Sequence, residues 1–302
     1  MGISFFNLKK WFKMFFGKSV LHVNQNLGVF FDPNSVHGYF NNMIDKVTSQ
    51  SEIIGTEKVP ELKIESGDYV IFPVAVFQYG LGAYDLFLKT NDERYLEEFI
   101  KCADWSIDNQ EESGAWNNFF YIFPEHPYGA MCQGEGVSLL IRAYKHTQKE
   151  HYLLSAKKAI DFMVKPIEEG GTADYKNNEV IFKEYVHRSI VLNGWIFAIF
   201  GLYDYMLVSD EYKELVEVSF SSLIAHLKDF DNGYWSLYSL DKKVASPFYH
   251  SLHIAQLQAI YLVTGDSMVK DIKEKFERYQ KSKSKKSRAL IVKSVQKIFE
   301  RI

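Results

Sequence analysis

The chain has 302 residues, 47% hydrophobic and 24% charged, with a formal net charge of -3. That apolar fraction with only 7 prolines excludes a disordered or collagen-like polymer, and no run of 18 apolar residues is present to span a bilayer. Two cysteines, Cys102 and Cys132, are too few for a disulfide framework and lack zinc-ligand spacing, so a reducing compartment and no metal site are expected.

Charge is unevenly placed along the chain. Residues 1–18 carry +4 and residues 281–302 carry +7, leaving -14 on the body between them. The first of these segments interleaves Phe5, Phe6, Leu8, Trp11, Phe12, Phe15 and Phe16 with lysines, the make-up of a helix lying in a membrane interface. A helix docked on the protein's own surface accounts for it equally. The segment has no small-residue cleavage site, and Phe6 stands where a myristoylation signal needs Ser or Thr. The expectation is a cytoplasmic protein with peripheral contact to the inner face of a membrane through residues 1–18.

Residues 19–76 form a strand-rich lead-in, with short strands expected at 29–31, 62–65 and 68–73 between Gly, Pro and Asn. From 77 to 280 the chain repeats itself. Apolar helical runs open at Gly80, Gly134 and Gly194, and a fourth begins near His253. Each closes in a Thr/Ser-Asp type turn that caps a second, more charged helix. Buried inner helices alternating with amphipathic outer ones predict a mainly α fold, an (α/α) toroid of about four helical hairpins behind the strand-rich lead-in. In the basic tail, residues 281–302, a solvated linker over 281–288 leads to a short helix with Leu290, Ile291, Val295, Ile298 and Phe299 on its apolar side. No recognition motif accompanies this charge, so no nucleic-acid partner is expected.

The inter-unit loops hold the polar and aromatic groups. Loop one carries Trp116 and Tyr128 and ends at Gln133; loop two carries Lys183, Glu184, Tyr185, His187 and Arg188; loop three carries Trp235, Tyr238, Tyr249 and His250. Nucleophile elbow, phosphate loop, dinucleotide fingerprint and HExxH are all absent from the sequence. The aromatic loop residues are candidate sugar-stacking surfaces.

Met131-Cys-Gln-Gly-Glu-Gly136, Glu184-Tyr185, Val191-Leu-Asn-Gly194, Gly201-Leu-Tyr-Asp204 and Tyr249-His250-Ser-Leu-His253 together resemble the C-terminal domain of the D-glucuronyl C5-epimerases, in order over residues 70 to 280. The resemblance implies a helical toroid that epimerises glucuronate to iduronate within a heparosan-type polysaccharide, with no cofactor. It places the catalytic roles on Glu184, Tyr238 and Tyr249, with Tyr249 and Glu184 on one side of the sugar and Tyr238 on the other. Substrate contacts fall on Tyr185, Arg188, Asn193, His250, Tyr128 and Gln133. The sequence departs from the family at Asp241, where the family has Arg, and residues 1–75 leave no room for the large β-domain of the animal enzymes.

Epimerisation removes the proton on C5, alpha to the carboxylate, and returns one to the opposite face, so an acid and a base must flank the ring. The electron pair released into the carboxylate needs donors or cations, for which Arg188, His187, Lys183, His250 and Asn193 are the local candidates. Arg142, inside an apolar helix, is expected to pair with a buried acid, and His253 to cap or pack as readily as to catalyse. Two other functions share these residues: a polysaccharide lyase, which begins with the same proton abstraction and then eliminates, and a non-catalytic polysaccharide-binding or assembly protein. In each case the partner is a uronate-containing polymer, which the acidic body repels at long range and loop two attracts locally. A homo-oligomer stays open.

Overall fold

The computed structural model describes residues 23–299. The amphipathic segment expected over residues 1–18 lies outside the described residues.

Four helical hairpins follow one another from residue 73 to 281. They are α2 (Pro73–Thr90) with α3 (Glu93–Asp108), α4 (Ala130–Thr147) with α5 (Glu150–Val164), α6 (Leu192–Met206) with α7 (Lys213–His226), and α8 (Pro247–Thr264) with α9 (Ser267–Lys281). The inner helices α2, α4, α6 and α8 each contact the next, and every outer helix packs on its own inner partner, giving the (α/α) toroid. Every residue of α6 from Leu192 to Tyr205 is buried, as its unbroken apolar pattern requires. Helices α4 and α6 meet backbone to backbone: a Cβ on Gly201 would lie 2.4 Å from the Gly134 Cα. The expected caps form at Asp92 and Asp266, whose carboxylates accept from N–H groups of the following first turn. At the second hairpin the cap position is Lys149, with no side-chain cap.

The lead-in has less strand than expected. It holds helix α1 (Ile44–Thr48) and a two-by-two-residue ladder of β1 (Leu62–Lys63) with β2 (Tyr69–Val70), while residues 29–31 form a turn and coil. Side-chain packing holds this segment in place. Phe40 stacks on Phe200 at 3.8 Å, and Arg142 ties the lead-in to two inner helices. Its guanidinium donates to Asp204 on α6 at 2.6 and 3.3 Å and to the Gly38 carbonyl at 3.0 Å, the buried acid pairing expected of Arg142. These contacts close the toroid at the C-terminal ends of α4 and α6.

Two hairpins sit at the opposite end, β3 (Ala173–Lys176) with β4 (Glu179–Phe182) and β5 (Leu237–Ser239) with β6 (Lys243–Val244). Asn177 and Asn178, both at positive φ, make the tight turn of the first.

The C-terminal segment corrects the sequence reading. Residues expected to be a solvated linker are helical, within α10 (Lys283–Phe299). The expected apolar face is turned outward, with Ile291, Val295 and Phe299 exposed. The docked face combines Ala289, buried in the core, and Val292, packed against it, with basic side chains: Lys285 lies over Tyr279 at 3.9 Å, Arg288 over Tyr234 at 4.1 Å and Lys293 over Tyr238 at 5.7 Å. Gln296 adds two backbone hydrogen bonds to the β5–β6 hairpin. Tyrosine faces attract cations while lysine stems cover apolar surface, so charge here serves docking. No helix among the described residues is long and apolar enough to cross a membrane.

Candidate active site

All four inner helices begin at the end of the toroid that carries the loops, and the nominated residues gather there. Glu184 follows β4, and the carbonyl of the preceding Lys183 accepts from the Ala130 N–H at the start of α4 at 2.9 Å. The Glu184 carboxylate rests against the first turn of α6, where a Cβ on Gly194 would stand 2.4 Å from Oε2. Oε2 is buried without a hydrogen-bond partner among the described residues. Burial pushes the carboxyl up to about 7, with Tyr185 pulling the other way.

The Tyr185 ring stacks on Phe119 at 4.8 Å, and its hydroxyl interacts with both Glu184 and Tyr238. Tyr238 is on β5, held beside loop two by the bridge between Val191 and Ser239 and by the Leu240 N–H to Ile190 carbonyl bond of 3.1 Å. Tyr249 is in the first turn of α8, where Pro247 starts the helix and the Ser246 hydroxyl caps the Tyr249 N–H. The rings of Tyr238 and Tyr249 lie 4.9 Å apart at 60°. Burial, then the Glu184 charge, pushes both phenols up. One carboxyl that titrates near neutrality thus stands among three half-buried tyrosines that hold their protons.

Tyr249 also lines a cavity of about 250 Å³ with Lys46, Gln78, Asn118 and Met131, and with Phe72 and Ile122 among its other lining residues. Asn193 adjoins this group from α6, its Nδ2 reaching the Met131 sulfur at 4.0 Å and its Oδ1 buried without a partner among the described residues. Among the described residues no group of three or more His, Cys, Asp or Glu is arranged to hold a metal ion.

Several nominated residues make hydrogen bonds and ring contacts within the protein. His250 is buried, stacked on Trp235 at 3.7 Å, and uses both ring nitrogens. Nδ1 accepts from the Ser236 N–H at 3.2 Å, which leaves Nε2 to donate to the Phe276 carbonyl at 3.0 Å. Burial holds the ring down at about 4, so it stays neutral, with both nitrogens engaged within the protein. His253 is likewise buried, against the Ser236 hydroxyl. Gln133 is fully buried and clamps Trp116 by bonds of 3.0 and 3.1 Å to its N–H and carbonyl. Tyr128 donates to Glu111 at 2.5 Å and packs on Phe162. Arg188 is exposed, stacked over Phe123 at 4.2 Å with Nε on His187. Trp116 and Trp235 are fully buried, so neither offers a stacking face to sugar. Gln133 lies in the first turn of α4 and His250 and His253 at the start of α8, where loops folding back over the helix ends engage their side chains.

Sequence reading missed Lys46, Gln78 and Glu135. Gln78 Nε2 donates to Glu135 Oε1 at 2.8 Å, and burial pushes the Glu135 carboxyl up to about 8, with Lys46 and Glu184 acting on it as charges. The signal was a polar residue in the first two turns of an otherwise apolar inner helix, at Gln78 and Glu135. Lys46, isolated in the lead-in, carried none.

The sequence profile described as D-glucuronyl C5-epimerase C-terminus matches residues 123–278, just over half of the chain. The chain belongs to this family. Within the C5-epimerase match lie Glu184, Tyr185, Tyr238 and Tyr249, whereas Lys46 and Gln78 precede it. The D-glucuronyl C5-epimerase of Caenorhabditis elegans is 27% identical over 225 residues, which is 64% of this chain and 36% of the worm protein. An uncharacterized protein of Methanocaldococcus jannaschii, MJ1128, is 32% identical over 199 residues, 58% of this chain and 65% of the archaeal one. The chain therefore spans about a third of the worm relative and just under two thirds of the archaeal one. Among solved structures, the GH76A α-1,6-mannanase from Salegentibacter sp. HEL1_6 superposes with a TM-score of 0.49 at 14% identity, covering 78% of this chain and 68% of the mannanase.

Proposed function

We propose that the protein is a carbohydrate C5-epimerase that interconverts D-glucuronate and L-iduronate, or a related uronate pair, within a polysaccharide. The observation that carries this is the gathering of Glu184 with Tyr185, Tyr238 and Tyr249, the last of which lines a cavity. C5 chemistry needs a base whose affinity for protons suits neutral pH, and a buried carboxyl near 7 has it. The base takes the C5 proton, the electron pair of that C–H bond moves into the sugar carboxylate, and a phenol returns a proton to the other face of C5. Tyr249 and Glu184 act as one acid-base unit and Tyr238 as the second group.

Two tyrosine rings 4.9 Å apart do not admit a sugar ring between their faces. The sugar therefore meets the hydroxyl edges of the two rings, with Tyr249 and Glu184 serving one face of C5 and Tyr238 the other. Half-buried Tyr185 and the exposed Phe120, stacked on Phe72 at 5.5 Å, extend the apolar rim for neighbouring sugars.

Incubation with heparosan and related glucuronate polymers in deuterated water, followed by NMR, tests the proposal. Deuterium at C5 without chain cleavage is expected, and it disappears in Tyr249→Phe. Absence of exchange in every uronate polymer, or an unsaturated product from elimination, overturns it. For residues 1–18 we further propose peripheral membrane contact: co-sedimentation with anionic vesicles is expected and should be lost when those residues are deleted.

A further inference from the structure

Docking uses one face of α10 and leaves the other in water. Ala289 and Val292 pack on the core, and Lys285, Arg288 and Lys293 lie over tyrosines, while Ile291, Val295 and Phe299 are 65%, 44% and 69% exposed. Four-residue spacing sets these three in one row along the helix. A row of large apolar side chains facing water marks a contact surface. The exposed Lys283 and Lys286 flank the row, and the helix carries no acidic residue between 283 and 299. The structure assigns this face to contact with an anionic bilayer, in which the apolar row enters the headgroup boundary and the lysines meet lipid phosphates and carboxylates.

Charge and side-chain chemistry together select the occupant. Residues 281–302 carry +7 and residues 19–280 carry -14, so an anionic surface attracts this end of the molecule, repels the rest and turns α10 towards itself. A second copy docked face to face would set the lysines of both helices against one another. Residues 1–18, at +4, are the wrong sign to cover it. A uronate polymer matches the charge, but Ile291 and Val295 offer no ring for a sugar to stack on and would stay in water. A bilayer answers both features at once. Because α10 packs on α9 and β6 and holds the β5–β6 hairpin through Gln296, a bilayer under its outer face lies beside the end of the toroid that carries Tyr238. This surface is separate from residues 1–18 and does not depend on the epimerase reading.

The test uses the full chain with a polarity-sensitive NBD label. Cys102 and Cys132 are buried, so the label goes selectively to Val295→Cys or, as a control, to Val218→Cys on the outer helix α7. With vesicles of phosphatidylserine and phosphatidylcholine, the label at 295 should shift to the blue and be quenched at least about twofold by brominated acyl chains, whereas the label at 218 should not respond. Phosphatidylcholine alone should give no shift. Ile291→Ser combined with Phe299→Ser changes exposed positions only and should weaken vesicle binding by about 10- to 100-fold with an unchanged melting curve. Vesicle binding without quenching at 295 places the contact on residues 1–18 alone and overturns the assignment, as does absence of binding. Equal quenching at 295 and 218, the same blue shift with heparosan in place of vesicles, or a shift that grows with protein concentration before vesicles are added also overturns it. Those three results would indicate non-specific adsorption, a polysaccharide and a second copy, respectively.

Discussion

Gly194→Ala is the most economical probe of the Glu184 site, because it adds one methyl group and removes nothing. The new Cβ would meet Glu184 Oε2 at 2.4 Å, its Cβ at 2.7 Å and its Cδ at 3.0 Å, where ordinary contact begins at 3.4 Å. The carboxylate must therefore retreat by about 1 Å from the first turn of α6. Overpacking of this kind costs about 1–3 kcal/mol of stability, and a catalytic group displaced by about 1 Å costs about 100-fold in rate. Gly201→Ala is the control. Its Cβ would collide with the Gly134 backbone at 2.4 Å, so it strains the α4–α6 contact with no contact to Glu184. The assay pairs the C5 deuterium-exchange rate with the thermal midpoint for both variants. Gly194→Ala should lose about 100-fold in exchange at a loss of stability similar to that of Gly201→Ala, which should stay within about tenfold of wild type. Gly194→Ala exchanging as fast as an equally destabilised Gly201→Ala would falsify the placement of Glu184 in the chemistry.

Other consequences follow from titration and docking. The wild-type exchange rate should rise as pH passes about 7, where Glu184 ionises, and Glu184→Gln should remove both the inflection and most of the rate. Asp85 is fully buried, with burial raising its carboxyl from 3.8 to about 7. Its folded value lies above the unfolded one, so its contribution to stability is complete below about pH 4 and is lost as pH climbs to about 7. Melting curves across that interval should show Asp85→Asn declining less with pH than wild type, and parallel curves would refute this. Gln296→Ala removes the bond from the Val244 N–H at 2.9 Å and the bond to the Lys242 carbonyl at 2.8 Å. A loss of about 1–2 kcal/mol is expected, seen as faster amide exchange at Val244 and a slower C5 exchange through Tyr238. Unchanged protection at Val244 would show that α10 does not hold the hairpin.

Local pattern carried the parts of this protein that depend on neighbours in sequence. Apolar runs on the inner helices, charged outer partners and capping aspartates such as Asp92 and Asp266 specify hairpins from within a few residues, and hairpins with one buried partner close on one another. The pair Glu184-Tyr185 and the tyrosines of loop three were legible because the family's motifs run through them. Tertiary structure decided what each polar loop residue touches. Gln133 and His250 look like ligands in one dimension, yet loop one and the Trp235 segment fold back and consume their hydrogen bonds. The C-terminal helix turns Ile291, Val295 and Phe299 outward because Ala289 and Val292 dock on the core while Tyr234, Tyr238 and Tyr279 meet its cations. Lys46 and Glu135 lie 89 positions apart and feel each other's charge only because α1 packs on α2 and α2 packs on α4. Burial moves their protons, and burial is a property of the folded assembly that residue type and spacing do not contain.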